Sequence, residues 1–143
     1  MVAPLKVGIA GLGTVGAEVV RLIESQSRAL SARCGRGVKV VAVSARSKVK
    51  KRGLDLRGID WARNPLALAN DPRIDCFVEL MGGAGEPALS AIEAALRNGK
   101  SVVTANKALI AKHGSRLAAL AEKHGGALNY EAAVGAAIRS EEH

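Results

Sequence analysis

One stretch near the N-terminus limits what this chain can fold into more than any other: residues 5–24, LKVGIAGLGTVGAEVVRLIE. Val7, Ile9 and Ala10 have the character of a buried strand, and Gly11, Gly13 and Gly16 follow them in the order GxGxxG. Each glycine has a mechanical reason. The first permits a tight turn out of the strand, the second removes a side chain where a pyrophosphate touches backbone, and the third lets the next helix lie close to the sheet. That helix opens at Thr14 or Val15, so Leu12, Thr14 and Val15 offer backbone N–H groups at its positive end. A tight strand-to-helix connection in some other α/β protein would use glycines too. The order of strand, glycine turn and helix favours the dinucleotide reading.

The rest of the chain repeats that alternation. Val38 to Ala45 (VKVVAVSA) is β-branched and almost continuously apolar, as a parallel strand covered on both faces is. Asp75 to Leu80, Ser101 to Val103 and Ala127 to Tyr130 supply three further strands. Helices are expected from the glycine turn onward, with Val15, Val19, Leu22, Ile23 and Leu30 on one face. Others are expected from Asn64-Pro65 for about two turns, from about Glu86 to Asn98 with Gly99 closing it, and from Ser115 to His124 before Gly125 and Gly126. The segment TANKALIAKHG reads as a loop and a helical turn. Connections this long exclude hairpins, so the expected fold class is α/β, a Rossmann-type doubly wound parallel sheet with helices on both faces. Residues 1–138 form one such domain, and RSEEH at 139–143 reads as a tail or truncation scar.

Composition narrows the partners. Aromatic residues make up only 2% of the chain, too few for a base-stacking platform, so the net charge of +8 points to an anionic cofactor in preference to nucleic acid. Nor is there a helix-turn-helix with base-reading side chains. Cys34 and Cys76 stand far apart without CxxC or Cys/His spacing, which argues against a zinc site or disulfide framework and for a reducing compartment. No signal-peptide layout or membrane-length apolar run is present, and a cytoplasmic protein without membrane contact is expected.

Where an NAD-binding domain places an Asp or Glu at the end of its second strand, this chain has Ser44, Ala45 and Arg46. An acid there would repel a 2′-phosphate, whereas Arg46 would grip one in a fork, with Lys48 or Lys50 adding charge. The expected cofactor is therefore NADP(H) ahead of NAD(H). The alternative is a solvated basic loop, since the run continues through Lys50, Lys51 and Arg52. Gly82 and Gly83 follow the third strand at the carboxyl edge of the sheet, where a ribose would approach the backbone or where the chain simply turns. Lys107 follows the fourth strand at the same edge, placed to donate to a substrate oxygen or relay a proton. Thr104 and Ala105 beside it would contribute backbone contacts, and Asn106 would cap the helix that Lys107 begins. A surface lysine at a helix start is the plainer reading of Lys107.

Four blocks, VGIAGLGTVG at 7–16, VELMGG at 78–83, VVTANKALIA at 102–111 and NYEAAVGAAI at 129–138, together resemble homoserine dehydrogenase. The resemblance runs nearly to Ile138, and TANKALIA is its most specific part. It implies an oxidoreductase that interconverts L-aspartate 4-semialdehyde and L-homoserine with a nicotinamide cofactor, in threonine, methionine and isoleucine biosynthesis. It implies that Lys107 lies near the nicotinamide and acts in catalysis with a second lysine from a catalytic domain absent here, so that these residues alone are expected to be inactive. It further implies a homodimer for the full-length chain and a sodium-like monovalent cation held by Glu131 and the carbonyls of Val134, Ala136 and Ile138. This chain departs from that loop at Ala137 and Arg139, where the family usually has glycine and proline. Alternatives are another amino-acid-type dehydrogenase, such as an aspartate dehydrogenase or a dihydrodipicolinate reductase-like protein, and a non-catalytic Rossmann nucleotide sensor.

Overall fold

The computed structural model describes residues 4–12, 37–45, 58–81 and 85–130. Among the described residues six strands form one sheet: β1 (Leu5–Ala10), β2 (Val38–Ser44), β3 (Asp60–Trp61), β4 (Cys76–Glu79), β5 (Ser101–Thr104) and β6 (Ala127–Tyr130). Their spatial order is β3-β2-β1-β4-β5-β6, and every neighbouring pair is parallel. The chain thus builds outward from β1 to β3, returns to the other side of β1, and builds outward again. The reversal falls between β1 and β4, which makes their carboxyl ends the place where an open α/β sheet of this kind forms a ligand crevice.

Three helices are described: α1 (Pro65–Ala69), α2 (Ala88–Arg97) and α3 (Lys107–His124). All three pack on one face of the sheet. Ala10, Ala42, Phe77 and Val102 point into that layer and meet Leu68 of α1, Ile92 and Leu96 of α2, and Leu109 and Leu117 of α3. Because side chains alternate along a strand, the intervening residues Val7, Ile9, Val43 and Cys76 make a second apolar layer on the opposite face, and Val40 joins them because the β1–β2 register shifts by one residue between Val40 and Ala42. The helix expected after the glycine turn, on residues 14–30, lies outside the described residues. At Gly8 a side chain would collide with Ile74 and Leu68, so the bare backbone there lets α1 and its exit settle onto β1.

Helix boundaries follow local chemistry. The Asn64 side chain accepts from the Ala67 N–H at 2.7 Å and Pro65 occupies the first turn of α1. The N-cap of α2, Pro87, has no polar side chain to cap with, and Glu86 just before it instead accepts the backbone N–H and the hydroxyl of Ser90 in the first turn. Two features differ from expectation. The sheet has a sixth strand, β3, only two residues long and too short to show a period in the sequence. And α3 is one helix of 18 residues instead of a turn followed by a separate helix. Gly114 in its middle costs about 1 kcal/mol, which the burial of Leu109, Leu117 and Ala121 along a single face outweighs.

The amino edge of the sheet is tied together by polar contacts. The Lys6 N–H donates to Asp75 Oδ2 at 2.9 Å, Lys100 Nζ to the Asp71 carbonyl at 2.9 Å, and Asn98 Nδ2 to Asn70 Oδ1 at 2.8 Å. Burial holds the Lys100 ammonium below its usual range. Arg73 forks onto Asp71 and reaches Asp60 of β3, linking the short edge strand to the α1–β4 connection.

Candidate dinucleotide site at the carboxyl edge

The register of the ladders aligns Ser44, Ala10, Glu79, Thr104 and Tyr130 as one rung across five strands, at or beside the last residue of each. This rung carries an unusual load. Among the described residues, the buried polar side chains are Ser44, Glu79, Lys100, Thr104 and Asn106. All but Lys100 lie on that rung or within two residues of it. Burying polar groups costs free energy unless they are hydrogen-bonded, so their gathering at one edge marks where the sheet is shaped for something other than packing.

At the switch point the chain leaves β1 through Gly11, whose φ is +102°, with its N–H donating to the Ser44 carbonyl at 2.8 Å. The Leu80 N–H in turn donates to the Ala10 carbonyl at 2.9 Å, so the exits of β1, β2 and β4 are laced to one another. A Cβ at Gly11 would stand 2.9 Å from both the carbonyl carbon and oxygen of Leu80. The first glycine of the GxGxxG run is therefore required twice, by backbone conformation and by close approach. Leu12 is buried in the second apolar layer, which leaves its backbone as its polar contribution.

On the other side of the switch point, Glu79 is fully buried. Its Oε1 accepts from the Thr104 hydroxyl at 2.7 Å and its Oε2 from the Met81 N–H at 2.7 Å. Thr104 Oγ1 accepts the Asn106 N–H at 3.0 Å, and Asn106 Oδ1 accepts the Leu109 N–H at 3.1 Å, capping α3 as the sequence suggested. Lys107 follows that cap as the first residue of α3 and is exposed. The Thr104 hydroxyl faces inward, bound to Glu79 and the Asn106 backbone. Glu79 carried no role in the sequence reading. Its carboxylate stands out in the otherwise apolar CFVEL, but its burial depends on a partner 25 residues away.

Of the sequence-predicted residues, Gly11 and Leu12 stand at the exit of β1 and Thr104 and Lys107 at the exit of β5, all on the carboxyl edge. Gly13, Thr14, Val15, Gly16, Arg46, Lys48, Gly82, Gly83, Glu131, Val134, Ala136 and Ile138 lie outside the described residues. A cavity of about 620 Å³ lies elsewhere, beside α1 and β3, lined by Trp61, Asn70, Asp71 and Arg73 among others; neither Gly11 nor Lys107 lines it. Among the described residues no group of three or more His, Cys, Asp or Glu gathers to hold a metal, and no helix is long and apolar enough to cross a membrane. Burial, with the nearby Asp75 charge adding to it, pushes the Cys76 thiol up to about 11, which removes it from nucleophilic chemistry at neutral pH.

A glycine turn at a topological switch point, faced by a polar edge and an exposed lysine, suits a phosphate-bearing dinucleotide. Comparison with known proteins agrees with that geometry. Residues 11–131 match the family model described as homoserine dehydrogenase, NAD binding domain. The chain is 43% identical to homoserine dehydrogenase of Pseudomonas aeruginosa over 138 residues, covering 94% of this chain and 30% of that protein. Homoserine dehydrogenase from Thiobacillus denitrificans superimposes with a TM-score of 0.83 at 40% identity, covering 91% of this chain and 30% of that one. The Staphylococcus aureus enzyme gives 0.83 at 36% identity, over 92% and 33%. The chain thus spans about a third of the length of the relatives it matches, and within that third it belongs to the homoserine dehydrogenase family, as its NAD-binding domain.

Proposed function

We propose that this chain is the cofactor-binding part of an NADP(H)-dependent homoserine dehydrogenase, a cytoplasmic enzyme of threonine and methionine biosynthesis that interconverts L-aspartate 4-semialdehyde and L-homoserine as a homodimer. The carboxyl edge carries this reading. Gly11 brings the β1 exit against the β4 exit where a pyrophosphate would lie across the switch point, and Lys107 stands exposed at the exit of β5 on the same edge. The cofactor would supply or accept hydride. This chain would bind its phosphates through backbone N–H groups after β1 and orient its nicotinamide beside β4 and β5. Lys107 would donate to the oxygen of the substrate carbonyl or take a proton from the alcohol.

Preference for the 2′-phosphate is supported by the end of β2. Ser44 closes the strand, Ala45 and Arg46 follow in the sequence, and no carboxylate is there to accept a free ribose 2′-hydroxyl or repel a phosphate. Titration with NADPH and NADH tests the whole reading. NADPH is expected to bind at least tenfold more tightly, and Arg46→Ala to remove most of that difference, consistent with loss of one charge-assisted hydrogen-bonded contact. Equal binding of the two would overturn the phosphate preference. Binding of neither, or salt-sensitive binding of duplex DNA instead, would overturn the assignment. Homoserine oxidation by these residues alone is expected to be negligible, because the chain spans only about a third of the length of its relatives and the reading proposed here assigns the substrate-facing part to the remainder.

A further inference from the structure

We propose that Glu79 is a positioning residue for the nicotinamide half of the site: its carboxylate clamps the exits of β4 and β5 together and thereby sets where the Met81 backbone and the Lys107 turn stand. The proposal rests on the cofactor reading above. It starts from an anomaly of burial. A carboxylate is among the groups least often buried, and a leucine or valine at the end of β4 would serve the apolar layer containing Phe77 and Val102 at less desolvation cost. Glu79 nonetheless occupies that place with no exposed surface, and its side chain lies on the face covered by α2 and α3, since Phe77 two residues earlier does.

Its two oxygens are divided between two elements. One accepts the Met81 N–H, fixing the turn by which the chain leaves β4. The other accepts the Thr104 hydroxyl, the last residue of β5. The Thr104 hydroxyl serves both sides: it gives its single proton to Glu79, and one of its lone pairs accepts the Asn106 N–H. From there the relay passes to the N-cap of α3, where the Asn106 side chain holds the Leu109 N–H and Lys107 begins the helix. Four hydrogen bonds therefore join the turn after β4 to the helix that carries Lys107. A glutamine cannot reproduce this, because an amide has one acceptor oxygen where the carboxylate uses two. Either the Met81 N–H or the Thr104 proton loses its partner.

The sheet is two halves about the switch point, and in such folds each half holds one mononucleotide. The clamp joins β4 to β5, in the half that would face the nicotinamide, while β1, β2 and β3 would face the adenosine. That division supplies the test. The 143-residue chain and its Glu79→Gln, Thr104→Val and Thr104→Ser variants are titrated with whichever reduced dinucleotide the unaltered chain binds. The matching adenosine half, adenosine 2′,5′-bisphosphate or ADP, is titrated in parallel, and folding is checked by circular dichroism. Glu79→Gln and Thr104→Val are expected to weaken dinucleotide binding about tenfold, the size of one hydrogen bond to a charged group, and to blunt the change in nicotinamide fluorescence on binding. The adenosine half should keep its affinity within about twofold, and Thr104→Ser, which retains the hydroxyl, should recover most of the loss. Equal losses for both ligands would show a merely structural acid and overturn the proposal, as would undiminished dinucleotide binding by both Glu79→Gln and Thr104→Val. If the unaltered chain binds neither ligand, the cofactor reading falls, and the clamp with it.

Discussion

The backbone of Gly11 passes so close to Leu80 that a single added carbon on the glycine would sit 2.9 Å from the Leu80 carbonyl. These two residues leave adjacent parallel strands at the point where the sheet reverses its order, and the glycine takes φ +102° there. Gly11→Ala must therefore move one strand exit or strain its own backbone. The cost is expected to be about 3 kcal/mol, combining a disfavoured φ with a steric clash. Urea denaturation followed by circular dichroism measures it. Dinucleotide binding should weaken in the same variant even at temperatures where it is folded, because the turn that meets the pyrophosphate is the part displaced. A variant that unfolds at the parent's midpoint would show that the two exits have room to spare.

Asn106 gives a milder prediction. Its side chain satisfies the Leu109 N–H at the start of an 18-residue helix, so Asn106→Ala should destabilise the domain by about 1 kcal/mol, while Asn106→Asp or Asn106→Ser should restore most of it. Thermal melts of the three variants provide the check. Similar losses for all three would place the contribution of Asn106 in its other contacts and not in the cap.

Lys107 should behave in the opposite way. It is exposed at the first position of α3, and alanine is the better helix former, so Lys107→Ala should leave the unfolding midpoint within about 0.5 kcal/mol of the parent. Its effect belongs to chemistry. In a chimera where these residues replace the corresponding third of the Pseudomonas aeruginosa relative, the same change should lower kcat on the order of a hundredfold or more, as expected for loss of a proton-transfer group. A drop confined to KM would reassign the lysine to substrate binding.

Much of this architecture was legible in the sequence because it is written in short-range signals. Glycines after an apolar strand locate the switch point, β-branched runs such as VKVVAVS locate β2, and Asn-Pro and terminal glycines mark helix ends. What was not legible depends on long-range pairing. The two residues of β3 become a strand only because Asp60 and Trp61 meet Ala42 and Val43. Gly114 looked like a break because its local cost is visible in sequence, while the burial of Leu109 and Leu117 that overrides it is a tertiary fact. Glu79 is the clearest case. Nothing local distinguishes a strand-end carboxylate that faces solvent from one that lies beneath two helices, and its partner Thr104 is 25 residues away.

Burial also predicts a silent cysteine. Cys76 lies in β4 under the second apolar layer, and desolvation, helped by the Asp75 charge, lifts its thiol to about 11. At pH 8 only about one part in a thousand would be thiolate. In a Cys34→Ser background the native protein should therefore react with a thiol-specific disulfide reagent far more slowly than the unfolded chain, with a stoichiometry near one only after denaturant is added. Rapid labelling of the native protein would show that β4 opens locally or is less covered than its packing indicates.

The acid limb of stability should trace to Asp71. The Arg73 side chain donates to both of its oxygens, through Nε at 3.1 Å and Nη2 at 2.7 Å, and the Arg73 N–H adds a further bond at 2.9 Å. Those bonds, the side-chain ones foremost, hold the Asp71 carboxyl below its ordinary value of 3.8 despite the opposing effect of partial burial. The sign follows from linkage: a group whose value is lowered in the folded state stabilises it fully above the unfolded value and loses that contribution as pH falls through the folded one. Stability from this pair is thus complete above about pH 4 and declines below it, while Arg73, whose own value is raised, stays charged throughout. Urea midpoints measured from pH 5 down to pH 2.5 should fall more steeply for the parent than for Arg73→Ala. The difference between them should close toward the acid end, where protonated Asp71 no longer distinguishes the two proteins. Asp71→Asn should show the same flattened profile, and it isolates the carboxylate from the second partner of Arg73, Asp60 of β3. If Arg73→Ala kept the full acid slope, the proton uptake would belong to another carboxylate, and the fork would be a tie between the α1–β4 connection and the sheet edge with no share in the pH dependence.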